Sequence, residues 1–317
     1  MPTILVPALA VLGLFLVSLF VGVSDVSPAT ILADPQALEL LLVSRLPRTI
    51  ALVLAGAGMA TAGLIMQMLA RNRFVEPSTA GTVESASLGL LAATLLAPGM
   101  APLGKMGVAT LFALLGTGLF FAILSRVPLR STLIVPLVGI MLGGVVSAVT
   151  TFFAYRFDLL QSLGAWATGD FSGVLRGRYE LLYLSAALTL AAFLAADRFT
   201  VAGLGEAFAT NLGLNYRRIM GFGLSIVAMV TAVVVVTVGA IPFLGLVVPN
   251  LVSMVVGDNV RRVAPLVALG GAGFVLACDI VGRVVRAPYE VPIGTVVGVV
   301  GSALFLAILL RRRHELG

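Results

Sequence analysis

Long apolar runs alternate with short polar connectors along all 317 residues of the chain. Runs of about 18 or more apolar residues recur, and each can cross a bilayer core of roughly 30 Å as a helix. The pattern predicts an all-α integral membrane protein with ten membrane-spanning helices. These helices form a single transmembrane domain, residues 1–317. The predicted spans are 4–23, 46–68, 81–98, 106–124, 132–154, 179–197, 218–238, 241–256, 264–282 and 293–310.

The composition supports the membrane interpretation. Apolar residues make up 60% of the chain and charged residues only 11%, whereas soluble domains carry roughly a quarter charged residues. The first apolar run, Ile4 to Gly22, lacks a basic flank and a small-residue cleavage site. We therefore expect a retained first span and not a removed signal peptide.

The sequence lacks the residues that catalysis would need. It contains no phosphate-binding loop motif, its one histidine is His314, and its one cysteine, Cys278, lies within an apolar run. We therefore predict no catalytic residues, no metal site and no cofactor of the chain's own. A secondary transporter driven by an ion gradient is an alternative, although the spans almost lack the ionisable groups that such a protein uses. A membrane-embedded enzyme is disfavoured for the same shortage of reactive groups.

The basic residues predict the orientation. An even number of spans puts both termini on one side, and the C-terminal cluster Arg311-Arg312-Arg313 favours the cytoplasm. The other connectors on that side carry Arg71, Arg73, Arg126, Arg130, Arg198, Arg217, Arg218, Arg261 and Arg262. The outer side carries Arg45, Arg48, Lys105, Arg156, Arg176, Arg178, Arg283 and Arg286. In a membrane chain this basic balance indicates topology and contact with lipid head groups, not nucleic acid.

One polar connector, residues 205–218, is typical of a docking surface. It holds charged, amide and glycine residues within a chain otherwise suited to lipid. We expect a helix-turn there that a soluble partner binds. The candidate docking residues are Gly205, Glu206, Ala209, Leu212, Gly213 and Asn215.

A second candidate surface lies on the opposite side, where the second span begins. Arg45 and Arg48, three residues apart beside Pro47, are expected to share a face and point outward. Arg283 could complete a basic patch that suits a partner's carboxylates. Anchoring to lipid head groups is the alternative. Asp279 is four residues from Arg283, which predicts a local ion pair.

Two interruptions of the apolar pattern border the predicted pathway. Residues 67–81 join the second and third spans, and their Glu-Pro-Ser-Thr-Ala-Gly run predicts an abrupt corner at the inner mouth, unless they are only a polar connector. Residues 239–250 contain prolines and glycines that predict a broken helix. Such a break is tolerated at membrane depth only where it is buried in protein or lines a cavity.

These motifs, in this order, resemble the FecCD-type permeases of binding-protein-dependent ABC importers, the type II fold that includes the cobalamin importer. The resemblance runs from about Ser44 to Leu310. It rests on Arg45-Leu46-Pro47-Arg48, Gly63-x-x-Met66-Gln67, Asn72-x-x-x-Glu76-Pro77, Trp166-x-x-Gly169-x-Phe171-x-Gly173, Gly205-Glu206-x-x-Ala209-x-x-Leu212-Gly213, Gly239-Ala240-Ile241-x-Phe243-x-Gly245-Leu246-x-x-Pro249 and Glu290-x-Pro292-Ile293-Gly294.

The resemblance implies a permease of the bacterial inner membrane that pairs with a second permease, identical or paralogous. Two cytoplasmic ATPase subunits would bind ATP and dock on residues 205–215. An extracytoplasmic binding protein would dock on Arg45, Arg48 and Arg283, and the inner gate would include Asn72 and Phe74. In the family a small aliphatic residue often stands where Phe74 lies.

The resemblance also implies the cargo. Residues 71–82 and 171–178 resemble the iron-siderophore branch of the family, the catecholate type most of all, which suggests a ferric siderophore. Cobalamin and haem are the alternatives on the same fold.

Overall fold

The computed structural model describes residues 2–22, 27, 29–30, 34–126, 134–257 and 259–311. These residues form thirteen α-helices and no strand. The helices are α1 (Pro2–Phe20), α2 (Pro35–Leu69), α3 (Thr82–Leu96), α4 (Pro102–Leu124), α5 (Ile134–Arg156), α6 (Leu160–Ala167), α7 (Leu182–Leu194), α8 (Ala196–Gly203), α9 (Glu206–Asn211), α10 (Tyr216–Val238), α11 (Leu244–Val256), α12 (Val260–Val284) and α13 (Ile293–Arg311). Arg130, Arg312 and Arg313, used above to predict orientation, lie outside the described residues.

The predicted all-α membrane fold is confirmed, and a helix or helix pair occupies each of the ten predicted spans. By length and composition, six helices can cross a membrane: α2, α4, α5, α10, α12 and α13. Helices α7 and α8 together make a seventh span that is bent by 64°. The three remaining spans correspond to shorter apolar helices, which are α1, α3 and α11.

The second span begins earlier than predicted. Helix α2 starts at Pro35, and its residues Leu41–Arg45 form a π-helical turn, so the arginine motif lies inside a continuous helix. Pro47 has no backbone N–H to give to the carbonyl of Val43, four residues before it. The N–H of Arg176 donates to that carbonyl instead, at 3.0 Å. The connector that contains Arg176 thus supplies the hydrogen bond that Pro47 cannot give to Val43. The helix can therefore continue past Pro47 without leaving this carbonyl unsatisfied.

Helix α2 is the centre of the bundle. It packs most extensively against α12, and it also contacts α7, α10 and α11. The backbones of α2 and α12 meet at Gly56 and Gly271, where a Cβ added to Gly56 would lie 2.6 Å from the carbonyl oxygen of Gly271. Small residues allow this close approach between helices in a membrane. By contrast, less than a third of α4, α5 and α13 is buried, so much of their surface is available to lipid or to a partner.

The predicted break between residues 239 and 250 is also confirmed. Helix α10 ends at Val238, and α11 begins at Leu244 after two left-handed residues, Gly239 (φ 85°) and Phe243 (φ 61°). A left-handed Phe is strained, and such a residue persists only where its surroundings hold it. The contacts that hold Phe243 belong to the candidate site.

Candidate functional site

The connector at residues 205–215 folds as the predicted helix-turn. Gly205, with φ 109°, separates α8 from α9, and the fully buried Ala209 anchors α9 on the bundle. Gly213, with φ 76°, ends α9: its N–H donates to the Thr210 carbonyl, and the Leu214 N–H donates to the Ala209 carbonyl. These two bonds form a Schellman motif, which needs a left-handed residue and favours glycine.

The next helix starts from a capped residue, so the whole turn is well defined. The Asn215 side chain accepts a hydrogen bond from the Arg218 N–H at 3.0 Å and caps α10. Large apolar side chains nevertheless face outward here, since Phe208 is 49% and Leu212 is 58% exposed. Beside them lies a hollow of about 430 Å³, lined by Glu206, Thr210, Gly213, Leu214, Asn215, Tyr216 and Arg217. Exposed apolar groups on a rigid polar turn are suited to protein docking.

We name this helix-turn the coupling segment (residues 205–215); it begins beside the residues that follow α2, and the preceding helix α8 packs on α2 itself. A Cβ added to Gly203 would lie 3.4 Å from Met68 Sδ. A Cβ added to Gly205 would lie 3.1 Å from Arg71 Nη1. The coupling segment therefore rests directly on the residues that lead into the predicted gate.

The predicted corner after α2 is present, and we name residues 70–81 the inner corner. Asn72 is buried, and its Oδ1 accepts a hydrogen bond from the Phe74 N–H at 2.8 Å. A 3₁₀ turn at Ser78–Ala80 and a left-handed Gly81 then redirect the chain into α3. The Phe74 ring meets the edge of the Phe305 ring on α13, with centroids 6.0 Å apart. Both predicted gate residues thus lie in one braced turn.

Polar contacts with α11 hold the inner corner in place. The buried Glu76 carboxylate accepts a hydrogen bond from the N–H of the strained Phe243 at 2.9 Å. Asn250 Nδ2 donates to the Arg73 carbonyl at 2.8 Å. Gln67 Nε2 at the end of α2 donates to the Gly245 carbonyl at 3.2 Å. We name these three contacts the corner brace.

The structure brings the three predicted outer arginines together at the opposite end of α2. The predicted pair of Asp279 and Arg283 is confirmed as a salt bridge. Arg48 also binds Asp279 at 2.7 Å, and it binds Glu290 at 2.7 Å. Arg45 donates to the Val21 carbonyl at the end of α1. These residues form an ion cluster in which three cations meet two carboxylates.

The expectation that Arg45 and Arg48 both point outward is wrong for Arg45, and Arg283 does not complete an outward basic patch. Arg45 and Arg283 are only 8% and 4% exposed, because their guanidinium groups turn inward to the end of α1. Arg283 donates to the Ser18 side chain at 2.6 Å and to the Val21 carbonyl at 2.6 Å. Buried charges need such partners to offset the loss of water. Only the Arg48–Glu290 pair reaches the surface, with 12% and 28% of the side chains exposed.

Sequence reasoning gave no role to several residues of these sites. Gln67, Glu76 and Glu290 belong to the motifs that carry the family resemblance, yet their contacts were not predicted. Asn250 was noted only as the end of the helix break. Their common signal is a polar side chain within an apolar stretch, which must find a hydrogen-bond partner when it is buried.

A cavity of about 500 Å³ lies between the inner corner and the helix break. Its walls come from the corner, α3, α5, α6 and the segment before α11. The lining residues are Ser78, Val83, Glu84, Ser87, Ser147, Thr150, Thr151, Leu160, Leu163, Gly164, Ala167, Ala240, Ile241 and Pro242. The broken helix thus borders a cavity, as its presence at membrane depth requires.

Comparison with known proteins identifies the family. The FecCD transport family model matches residues 9–311. The petrobactin import system permease protein YclN of Bacillus subtilis is 51% identical over 93% of this chain and 94% of its own. The ferric-anguibactin transport system permease protein FatD of Vibrio anguillarum is 45% identical over 86% of each chain.

More distant relatives are also transport proteins. The vitamin B12 import system permease protein BtuC of Klebsiella pneumoniae is 35% identical over 85% of this chain and 82% of its own. A solved structure, described as an inward-facing ABC transporter of the metal-chelate type, superposes with a TM-score of 0.84 and 25% identity. That match covers 98% of this chain and all of the other. The chain is therefore a multi-pass bacterial membrane protein that belongs to the FecCD transport family.

Proposed function

We propose that this chain is the permease subunit of an ABC importer that carries a ferric siderophore, of the catecholate type, across the bacterial inner membrane. A binding protein delivers the cargo outside, and two cytoplasmic subunits bind and hydrolyse ATP. The observation that carries this proposal is the coupling segment, which exposes apolar side chains such as Leu212 on a rigid turn. Both termini then face the cytoplasm, on the same side as this segment.

The cargo is inferred from the relatives and from the outer surface. Relatives at 51% and 45% identity are named for petrobactin and ferric-anguibactin. Arg176 and Arg178 are exposed in the connector before α7, where positive charge raises the local concentration of anionic complexes. A vitamin B12 permease is the second candidate, because relatives of that name reach 35% identity.

We infer that force passes from the coupling segment to the inner gate through direct contacts. The ATPase moves the coupling segment, whose Gly205 lies beside Arg71, while Gly203 of the preceding helix α8 lies beside Met68 near the end of α2. Arg71 belongs to the inner corner, where Phe74 meets Phe305 of α13. The corner brace makes the turn move with α11 as one body. Packed elements of this kind switch between discrete arrangements, as alternating access requires.

A second permease subunit is proposed to pack against α5. That helix is exposed along one face, on which Leu137, Met141, Val145 and Phe152 are 54%, 65%, 64% and 63% exposed. Its residues Ser147, Thr150 and Thr151 line the cavity. A partner on α5 would therefore enclose the cavity between two subunits. The partner is an identical or a paralogous permease.

We propose that the binding protein docks at the Arg48–Glu290 pair, the exposed part of the ion cluster. A glutamate of the binding protein would replace Glu290 on Arg48. Asp279 would stay in place, because it is buried and also bound by Arg283. The exchange swaps one carboxylate for another, so the net charge of the cluster stays the same throughout.

An uptake assay tests the function. Deleting the gene should abolish uptake of radioactive iron bound to a catecholate siderophore, and expressing the chain should restore it. Uptake of radiolabelled vitamin B12 should not change. The proposal is wrong if only vitamin B12 uptake depends on the gene, or if iron uptake persists without ATP.

Two substitutions in the coupling segment, one that reverses a charge and one that introduces a charge, test ATPase docking. Glu206→Lys and Leu212→Asp should each reduce, about tenfold or more, the ATP hydrolysis that co-purifies with the tagged permease, as expected for central interface residues. Glu39→Lys is a matched control, because Glu39 is equally exposed but lies at the other end of the bundle. Co-purification at the normal level in both coupling variants would refute the assignment.

Two variants of the exposed ion pair test binding-protein docking. Arg48→Gln should weaken binding by about 1–3 kcal/mol, the range of a charge-assisted contact. Glu290→Gln should strengthen binding, since it removes the internal competitor for Arg48. Arg286→Gln is the control, as Arg286 is exposed nearby but outside the cluster. Affinity can be measured with the permease in nanodiscs; equal affinities for all four proteins would exclude this docking site.

A further inference from the structure

One carboxylate, Glu84, lies in the wall of the cavity beside the inner corner. It is in the first turn of α3 and packs against α5, where a Cβ added to Gly143 would lie 3.3 Å from its Cδ. Its Oε2 is buried and accepts no hydrogen bond within the described part of the chain. A buried acceptor without a partner is unfavourable. Because Glu84 is also partly exposed and lines the cavity, it favours a ligand that donates.

The hydroxyl groups around Glu84 also present acceptors to the cavity. The Ser87 hydroxyl donates its proton to the Val83 carbonyl at 2.9 Å, and the Thr150 hydroxyl donates to the Val146 carbonyl at 2.7 Å. The Ser78 hydroxyl donates to the Glu76 carboxylate. A hydroxyl has one proton but two lone pairs. Once the proton is committed to another group, only lone pairs remain for a molecule in the cavity.

The charge of the lining is equally one-sided. Among the described residues that line this cavity, Glu84 is the only ionisable one, and none of them is lysine or arginine. Serines and threonines supply the remaining polar side chains, and the rest of the wall is apolar or glycine. The volume of about 500 Å³ lies in the range that holds a drug-sized molecule. The cavity thus combines acceptors, one carboxylate and enough room for part of a chelate.

We propose that this cavity is a cargo-binding site in the passage, where Glu84 and the neighbouring hydroxyl oxygens bind a protonated amine of the cargo. An ammonium group carries three donors and no acceptor, which matches the Glu84 carboxylate and the three hydroxyls whose protons are already donated elsewhere. The inference rests on the proposed function, because it takes the cavity as part of the passage. It adds that the cargo bears a cationic nitrogen group besides its metal chelate.

The charge of this site is opposite to the charge of the outer surface. Exposed Arg176 and Arg178 attract the anionic part of a chelate, whereas Glu84 accepts its cationic part. A cargo that carries both charges satisfies each region in turn. Because one carboxylate and a few hydroxyls bind weakly, the cargo can also leave.

Cysteine reactivity measures the charge preference of the cavity directly. Thr151, which lines it opposite α3, is replaced by cysteine in a Cys278→Ala background, in membranes that hold the complete transporter. The rates with a cationic aminoethyl and an anionic sulfonatoethyl methanethiosulfonate are then compared. The cation should react faster, and Glu84→Gln should reduce the cation-to-anion rate ratio about tenfold, as expected for a unit charge within several ångströms at intermediate dielectric. Glu84→Asp should retain the ratio, and so should the remote control Glu180→Gln.

A second arm detects amine binding itself. Millimolar n-butylammonium should slow the reaction of Thr151→Cys with a neutral methanethiosulfonate, whereas n-butanol should not, and Glu84→Gln should remove the protection. A rate ratio unchanged by Glu84→Gln, or equal protection by amine and alcohol, overturns the proposal. The proposal is also overturned if Thr151→Cys is labelled in no nucleotide state, because the cavity would then lie outside the passage.

These readouts need neither a siderophore nor transport. If the uptake assay fails while the charge preference holds, the siderophore assignment is wrong and the amine site stands. If uptake succeeds but the preference is absent, only the amine site is wrong.

Discussion

The hydrogen bond from the Phe243 N–H to the buried Glu76 carboxylate is the contact on which the rest of the inner half depends. It joins the inner corner to the start of α11, where the chain has just left α10 through a strained residue. Without this bond, the buried Glu76 carboxylate would keep the hydrogen bond from Ser78 but lose its link to the helix break. Phe243 would lose a contact that holds its left-handed backbone. The two unfavourable features therefore stabilise each other.

That contact joins two functional regions, the helix break and the inner corner. The helix break that it holds lines the cavity through Ala240, Ile241 and Pro242. The corner that it holds carries Phe74 and lies beside the coupling segment. Asn250 adds a bond from α11 to the corner, and Gln67 joins the end of α2 to α11, so the corner is attached to its neighbours at several points. In the proposed mechanism, this attachment would allow a push on the coupling segment to reach the gate.

The sequence correctly predicted the features that depend on residues close together in the chain. Ten apolar runs predicted ten spans, a proline-rich stretch predicted the helix break, and the i, i+4 spacing predicted the Asp279–Arg283 pair. Contacts between distant positions could not be predicted in this way. Arg48 binds Asp279 across 231 positions, so the outward patch of the prediction became a mostly buried ion cluster. Likewise, only the fold shows that Arg176 satisfies the carbonyl that Pro47 leaves open in α2.

The central claim is that movement of the coupling segment opens and closes the inner corner, and cysteine labelling at position 74 tests it most directly. Phe74→Cys in a Cys278→Ala background is reacted from the cytoplasmic side with a membrane-impermeant thiol reagent, without nucleotide, with ATP trapped, and after hydrolysis. Arg71→Cys, at an exposed position of the same corner, reports general access. The account predicts that position 74 is labelled in only some of these states while position 71 is labelled in all. Equal labelling of position 74 in every state would contradict it.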